Sequence, residues 1–164
     1  MKTLLLLRHA KSSWKDDSLD DHDRPLNERG KKEAPKMGQL LLEEHLLPDI
    51  ILSSDAKRCR RTVEKVCEAA GYRGETVLTS ELYLANTAAY LRALTRLPDQ
   101  VSRALVVGHN PGMEQLLELL TQRYEPMTTG ALARIDLPSL EHWPEIAAST
   151  RGELVTLWQP MELG

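Results

Sequence analysis

Residues 3–7, Thr-Leu-Leu-Leu-Leu, carry one short apolar run that stops abruptly at Arg8-His9. A strand exposed on one face alternates polar and apolar positions, so an unbroken run this short reads as a central strand covered on both faces. Such a strand requires helices on either side of a sheet, and the remaining sequence supplies them. Asn27 can cap a helix through about residue 45, with Ala34, Met37, Leu40 and Leu41 at helical spacing and Pro35 implying a kink or a delayed start. Residues 49–52 form a second short strand, followed by Ser53-Ser54-Asp55 as a cap and a helix through Ala70 that ends at Gly71. Residues 76–79 read as an edge strand, 87–97 as a third helix, 104–107 as another buried strand and 113–123 as a fourth helix. Residues 131–137 and 153–158 are two closing strand candidates. Strands alternating with helices imply an α/β, three-layer sandwich around a largely parallel central sheet.

The 164 residues are 41% hydrophobic, enough for one core, so a single domain over 1–164 is expected, and a collagen, coiled-coil or disordered reading is excluded. Lys and Arg number 21 against 24 Asp and Glu, a formal charge of -3. That balance argues against a general binder of nucleic acid or of anionic membranes while leaving room for a local basic pocket. Leu4 to Leu7 is too short to span a bilayer and lacks the longer apolar region and cleavage site of a secretory signal, so a cytoplasmic location is expected. Cys59 and Cys67 stand eight residues apart on one helix, about 12 Å along its axis. That is beyond disulfide reach, and both read as buried thiols. Residues 12–27, rich in Asp and Ser, read as an exposed irregular loop.

Three places can carry chemistry. Arg8-His9 ends a buried strand, where open α/β sheets place their ligand sites, and a cation beside a histidine suits an anionic substrate. Alone, the pair reads equally as a buried structural contact. Lys57-Arg58-Cys59-Arg60-Arg61 puts four cations at the N-terminal end of a helix, where the macrodipole disfavours each by roughly 0.3–1 kcal/mol. A bound phosphate would turn that repulsion into attraction; the alternative is a solvated surface offset by Asp55 and Glu64. His109, between Gly108 and Gly112, again ends a buried strand. Two histidines at strand ends beside two arginine sources form a set that packing does not require, and together they favour phosphate chemistry.

Leu7-Arg8-His9-Ala10-Lys11-Ser12, then Arg58-Cys59-Arg60-Arg61-Thr62, then Gly108-His109-Asn110-Pro111-Gly112 resemble, in order and spacing, the histidine phosphatase superfamily, also called phosphoglycerate mutase-like. The short chain, Pro25-Leu26-Asn27-Glu28-Arg29-Gly30 and Met127-Thr128-Thr129-Gly130-Ala131-Leu132-Ala133 resemble its SixA-type phosphohistidine phosphatases. The resemblance implies that His9 is the nucleophile that becomes phosphorylated and that Arg8, Arg58 and His109 form the phosphate pocket, with Ser12 and the backbone at Asn110 as further phosphate donors. Arg60 and Arg61 are rivals to Arg58 if the register is shifted, and Ala10 stands where relatives commonly have glycine. The mechanism needs neutral His9 with one lone pair aimed at phosphorus and the other nitrogen's proton held by an acceptor, a main-chain carbonyl being expected. Protonated His109 would add charge in the transition state.

Many relatives have an acid that protonates the leaving oxygen. Glu81 is the nearest candidate, and Asp16, Asp17, Asp20, Asp21 and Asp23 are alternatives, although acids in a polar loop are ordinarily solvated. Asp21-His22-Asp23 has no distant matching cluster, so no metal is assigned, and no cofactor is expected. The resemblance therefore implies a phosphohydrolase with phosphohistidine protein or small phosphoramidate as substrate and partner; the charge balance argues against nucleic acid and membrane as partners, and a monomer is expected. Its rivals are a small-molecule phosphomonoesterase of the same superfamily and a noncatalytic phosphate or phosphoprotein-binding module.

Overall fold

A computed structural model describes residues 1–163. Six strands form one sheet: β1 (Lys2–Arg8), β2 (Ile50–Ser54), β3 (Glu75–Thr79), β4 (Arg103–Gly108), β5 (Leu132–Leu137) and β6 (Glu153–Trp158), in the order β3-β2-β4-β1-β5-β6. The first four in that order are mutually parallel, and β5 and β6 add antiparallel ribbons. The helices are α1 (Glu28–Glu43), α2 (Lys57–Ala70), α3 (Thr87–Thr95) and α4 (Gly112–Thr121).

The apolar run of β1 divides its residues between two layers, as a strand buried on both faces must. Leu5 and Leu7 join Met37 of α1, Val63 of α2, and Leu105 and Val107 of β4. Leu4 and Leu6 point the other way, with Leu94 of α3, Leu116 of α4, and Ala104 and Val106. The chain moves from β1 to β2 to β3 in one direction across the sheet and then turns back to insert β4 between β2 and β1. With right-handed crossovers, that reversal sends α3 to the face opposite α1 and α2. The path out of β1 thus enters one helical layer through α1, and the path out of neighbouring β4 enters the other through α4. The crevice between two such strands, at their carboxyl ends, is where open sheets bind ligands.

Helix α1 starts directly after Asn27, whose Oδ1 accepts from Gly30 N at 2.8 Å, so Pro35 delays nothing and lies inside the helix. Residues 12–27 correct the expectation of a plain exposed loop. Ser12 bridges Leu26 in antiparallel fashion, Asp21–Asp23 forms a 3-10 turn, and Ser12, Arg24 and Leu26 are buried. Cys59 is buried and Cys67 half-buried, both as free thiols. Among the described residues, no helix is long and apolar enough to cross a membrane.

Candidate active site

Parallel pairing of β1 with β4 sets Arg8 opposite Gly108, so the residues that follow, His9 and His109, leave the sheet side by side with ring centroids 5.3 Å apart. His9 Nδ1 lies 2.8 Å from the Ala10 carbonyl. A carbonyl can only accept, which assigns the proton to Nδ1 and leaves the Nε2 lone pair free. Burial, opposed by that hydrogen bond and reinforced by His109, Arg58 and Arg8, lowers the His9 pKa to about 3. The imidazole is therefore neutral at physiological pH, as a nucleophile must be.

The end of β1 is braced from two sides. Gly130, with φ at +81°, donates its N–H to the carbonyls of Arg8 and His9 at 3.0 and 2.9 Å. A side chain is disfavoured at that φ, which accounts for glycine in the Met127–Ala131 segment. On the other side, Ala10 N donates to Thr62 Oγ1 at 3.0 Å, and Thr62 Oγ1 donates to Arg58 O at 2.7 Å. The four-residue spacing of Arg58 and Thr62 puts both on the buried face of α2.

Of the four cations opening α2, only Arg58 turns inward, 2% exposed. Arg60 Nε donates to Asp55 O at 3.0 Å, and Arg61 pairs with Glu64 at the surface. Arg8 Nη1 donates to Met127 O at 2.9 Å. Arg8 Nε and Arg58 Nε are both buried without a hydrogen-bond partner. Arg103 Nε shares that state but belongs to the opposite end of β4. Two unpaired guanidinium N–H groups beside a histidine lone pair suit an incoming anion with several oxygens.

His109 Nδ1 is 3.2 Å from Arg58 Nη2, an obligate donor, so the His109 proton sits on Nε2 and points to Ser54 Oγ at 2.8 Å. Burial and then the Arg58 charge lower its pKa to about 4 against the raising effect of Asp21. His109 is thus neutral in the free protein, and the protonated form expected from sequence would require proton uptake with an anionic ligand. The depressed values make a stability prediction. Unfolded histidine titrates near 6.5, so between about pH 4 and 6.5 the unfolded chain binds more protons and stability falls as pH falls. Asp21, held below the carboxylate range, contributes its loss only below about pH 4. Melting at about pH 7, 6, 5 and 4.5 should show Tm falling by roughly 5 °C or more, and the His9→Asn/His109→Asn double variant should flatten that slope. Equal slopes in both proteins would assign acid sensitivity to other groups.

Some expected site residues lie elsewhere or do other work. Glu81 is corrected: its carboxylate is exposed and accepts from Arg96 Nη1 at 2.8 Å, because the turn after β3 directs it toward α3 and not into the crevice. Ser12 Oγ accepts from Arg24 Nη1 at 2.7 Å. The Asn110 side chain caps α4, with Oδ1 accepting from Glu114 N at 3.2 Å and Nδ2 donating to Glu114 and to Met127 O. Asp21, counted among solvated acids, instead meets Arg58 Nη2 at 2.9 Å and accepts from the Tyr83 hydroxyl. Burial alone would raise its carboxyl, but the hydrogen bonds from Tyr83 and Arg58 and the Arg58 charge outweigh that and hold it well below the usual carboxylate range. Tyr83 also sets its ring edge-on to His109, centroids 5.4 Å apart. Nothing in periodicity or spacing singles out Asp21 or Tyr83; the Asp-rich stretch ahead of Arg24-Pro25 was the available signal. Among the described residues, no three His, Cys, Asp or Glu side chains converge as a metal-holding group.

A family model for the histidine phosphatase superfamily (branch 1) matches residues 4–83. The SixA protein of Agrobacterium tumefaciens superposes with a TM-score of 0.83 over 97% of this chain and 98% of its own, at 31% identity. The protein histidine phosphatase SixA complexed with tungstate superposes with a TM-score of 0.83 over 99% of both chains, at 23% identity, a likeness of fold. An uncharacterised chloroplast protein of Arabidopsis thaliana is 38% identical over 130 residues, which span 73% of this chain and 59% of that protein.

Proposed function

The chain belongs to the histidine phosphatase superfamily and has its phosphoglycerate mutase-like fold, and on that premise we propose that this phosphatase removes phosphate from phosphohistidine or another phosphoramidate through a phosphohistidine on His9. The observation that carries this reading is the aim of His9: Nδ1–H is tied to the Ala10 carbonyl and Nε2 is bare, beside two guanidinium N–H groups with no partner. A noncatalytic phosphate binder has no need of that lone pair.

In the first step Nε2 bonds to phosphorus while the bond from phosphorus to the leaving nitrogen breaks. Arg8 and Arg58 offer their N–H groups to the nonbridging oxygens, where negative charge is concentrated. Water then attacks phosphorus, the bond to His9 breaks, and inorganic phosphate leaves.

The substrate class follows from proton supply. An alkoxide leaving group needs a well-placed acid, whereas an imidazole whose second nitrogen is protonated near neutral pH departs as a neutral base. Asp21 is ionised and ion-paired, and Glu81 is turned to Arg96, so neither carboxyl is suited to deliver that proton. P–N bonds therefore fit this site better than unactivated alkyl esters. A phosphohistidine protein, a small phosphoramidate and a panel of sugar phosphates should be turned over in parallel. The expected result is a kcat/KM at least about 100-fold higher on the P–N substrates. Faster hydrolysis of a sugar phosphate, lost in Glu81→Gln, would instead establish a general-acid phosphomonoesterase.

A further inference from the structure

The loop between β1 and α1 reaches the site at Arg58, where one residue grips the guanidinium twice. Arg58 Nη1 donates to the main-chain oxygen of Asp21 at 2.7 Å, and Nη2 donates to Asp21 Oδ2 at 2.9 Å. A guanidinium has two forked edges, an end-on edge between its terminal nitrogens and a side-on edge between Nε and Nη2. Asp21 takes the end-on edge. On the side-on edge, Nη2 lies 3.2 Å from His109 Nδ1, and Nε is buried without a partner. A buried unpaired N–H is costly unless a ligand meets it.

Asp21 is itself held on both oxygens. Arg24 Nε donates to Oδ1 at 3.1 Å, the Tyr83 hydroxyl donates to Oδ2, and Arg24 is anchored in turn by Ser12 Oγ at 2.7 Å. This is a fixed carboxylate on an ordered loop, with a specific edge of Arg58 as its target.

We propose that Asp21 is a positioning residue for phosphoryl binding: it holds Arg58 by the end-on edge so that the unpaired Nε–H on the side-on edge meets a nonbridging oxygen of a phosphoryl group at His9. The proposal rests on the phosphatase reading above. Two effects compete at Asp21, and they differ in sign. As a bare charge, the carboxylate cancels part of the pocket's positive field, so its removal alone would tighten anion binding. As a clamp, it stops the guanidinium turning about its last torsions, so its removal would weaken anion binding. The clamp should dominate, because a rotated guanidinium no longer aims Nε–H and loses a directional, charge-assisted hydrogen bond in a buried site, where geometry sets most of its strength.

The test titrates the full chain, labelled with 15N-arginine, with inorganic phosphate and separately with tungstate, following the Nε–H resonances. In the unmodified protein both the Arg8 and Arg58 signals should shift at saturation. In Asp21→Ala the phosphate dissociation constant should rise about tenfold. The Arg58 signal should cease to shift while the Arg8 signal still does, and kcat/KM on phosphoramidate should drop about 100-fold. Tyr83→Phe keeps the carboxylate charge and should move both quantities in the same direction by smaller factors. Phosphate binding to Asp21→Ala as tight as in the unmodified protein, or tighter, with an unaltered Arg58 shift would overturn the proposal and leave the phosphatase reading standing. Should circular dichroism show Asp21→Ala unfolded, Tyr83→Phe decides, and an unchanged affinity and Arg58 shift in it would equally overturn the clamp. An unmodified protein that neither binds phosphate nor hydrolyses phosphoramidate would remove the phosphatase reading and this proposal with it.

Discussion

Replacing His9 with alanine should abolish turnover, with a loss of at least ~10⁴-fold in kcat, because the neighbouring neutral imidazole, His109, has its Nδ1 lone pair turned to Arg58 Nη2 and cannot take its place. Cys59, whose sulfur lies 3.5 Å from His109 Nε2, is fully buried, and burial pushes its thiol up to about 12, so it stays protonated and poorly nucleophilic. The Ser54 hydroxyl accepts the His109 proton. The proposed covalent intermediate gives a second readout. Brief quenching during turnover of a labelled substrate should lose the phosphoryl label in acid and preserve it in alkali, with the label mapped to His9. An acid-stable label on serine or aspartate would sink the mechanism, as would normal turnover in His9→Ala. The variant should remain folded at neutral pH, since the residue contributes a neutral ring whose backbone is held by Gly108 and Gly130.

Arg58→Lys should be nearly as damaging, lowering kcat/KM by roughly 10²–10³-fold although the charge is kept. The guanidinium simultaneously meets Asp21 O, Asp21 Oδ2 and His109 Nδ1 and still has Nε–H without a chain partner. An ammonium has three donors radiating from one point and cannot span these positions. Arg60→Lys and Arg61→Lys should each stay within about twofold, because surface substitutions away from such networks usually have small effects. Among the described residues, Arg60 meets Asp55 O through Nε, and Arg61 pairs with exposed Glu64. Steady-state kinetics on a phosphoramidate, with thermal melts to confirm folding, would check all three. A larger effect at Arg60 or Arg61 than at Arg58 would show that the wrong arginine has been placed in the pocket.

The pieces legible in the sequence share a physical origin in local pattern. The unbroken apolar run of β1 reports burial on both faces without any knowledge of its neighbours, and Leu4 to Leu7 do divide between two helical layers. Asn27 marks the start of α1 because its cap is closed by Gly30, three residues away. The match of Arg58 to the family's motif, four residues before Thr62, selects one arginine of the basic run, and the structure buries both on one face of α2. Family resemblance then joined His9, Arg58 and His109 before their contacts were visible.

What tertiary structure decided involves groups distant along the chain, or atoms within a residue. The His9 tautomer depends on which ring nitrogen reaches the Ala10 carbonyl, and the neutral state of His109 depends on its burial beside Arg58. Asp21 and Glu81 exchange their expected standing for the same reason: a carboxylate's role is set by where its backbone leads it. The bridge between Ser12 and Leu26 folds the Asp-rich segment back onto α2 and delivers Asp21 to Arg58, while the turn after β3 carries Glu81 away to Arg96. By itself the sequence determined the layered fold and the strand ends where chemistry would sit, since periodicity and capping act over a few residues. Only the tertiary structure decided which acid meets Arg58, because that pairing depends on the path of a loop with no period of its own.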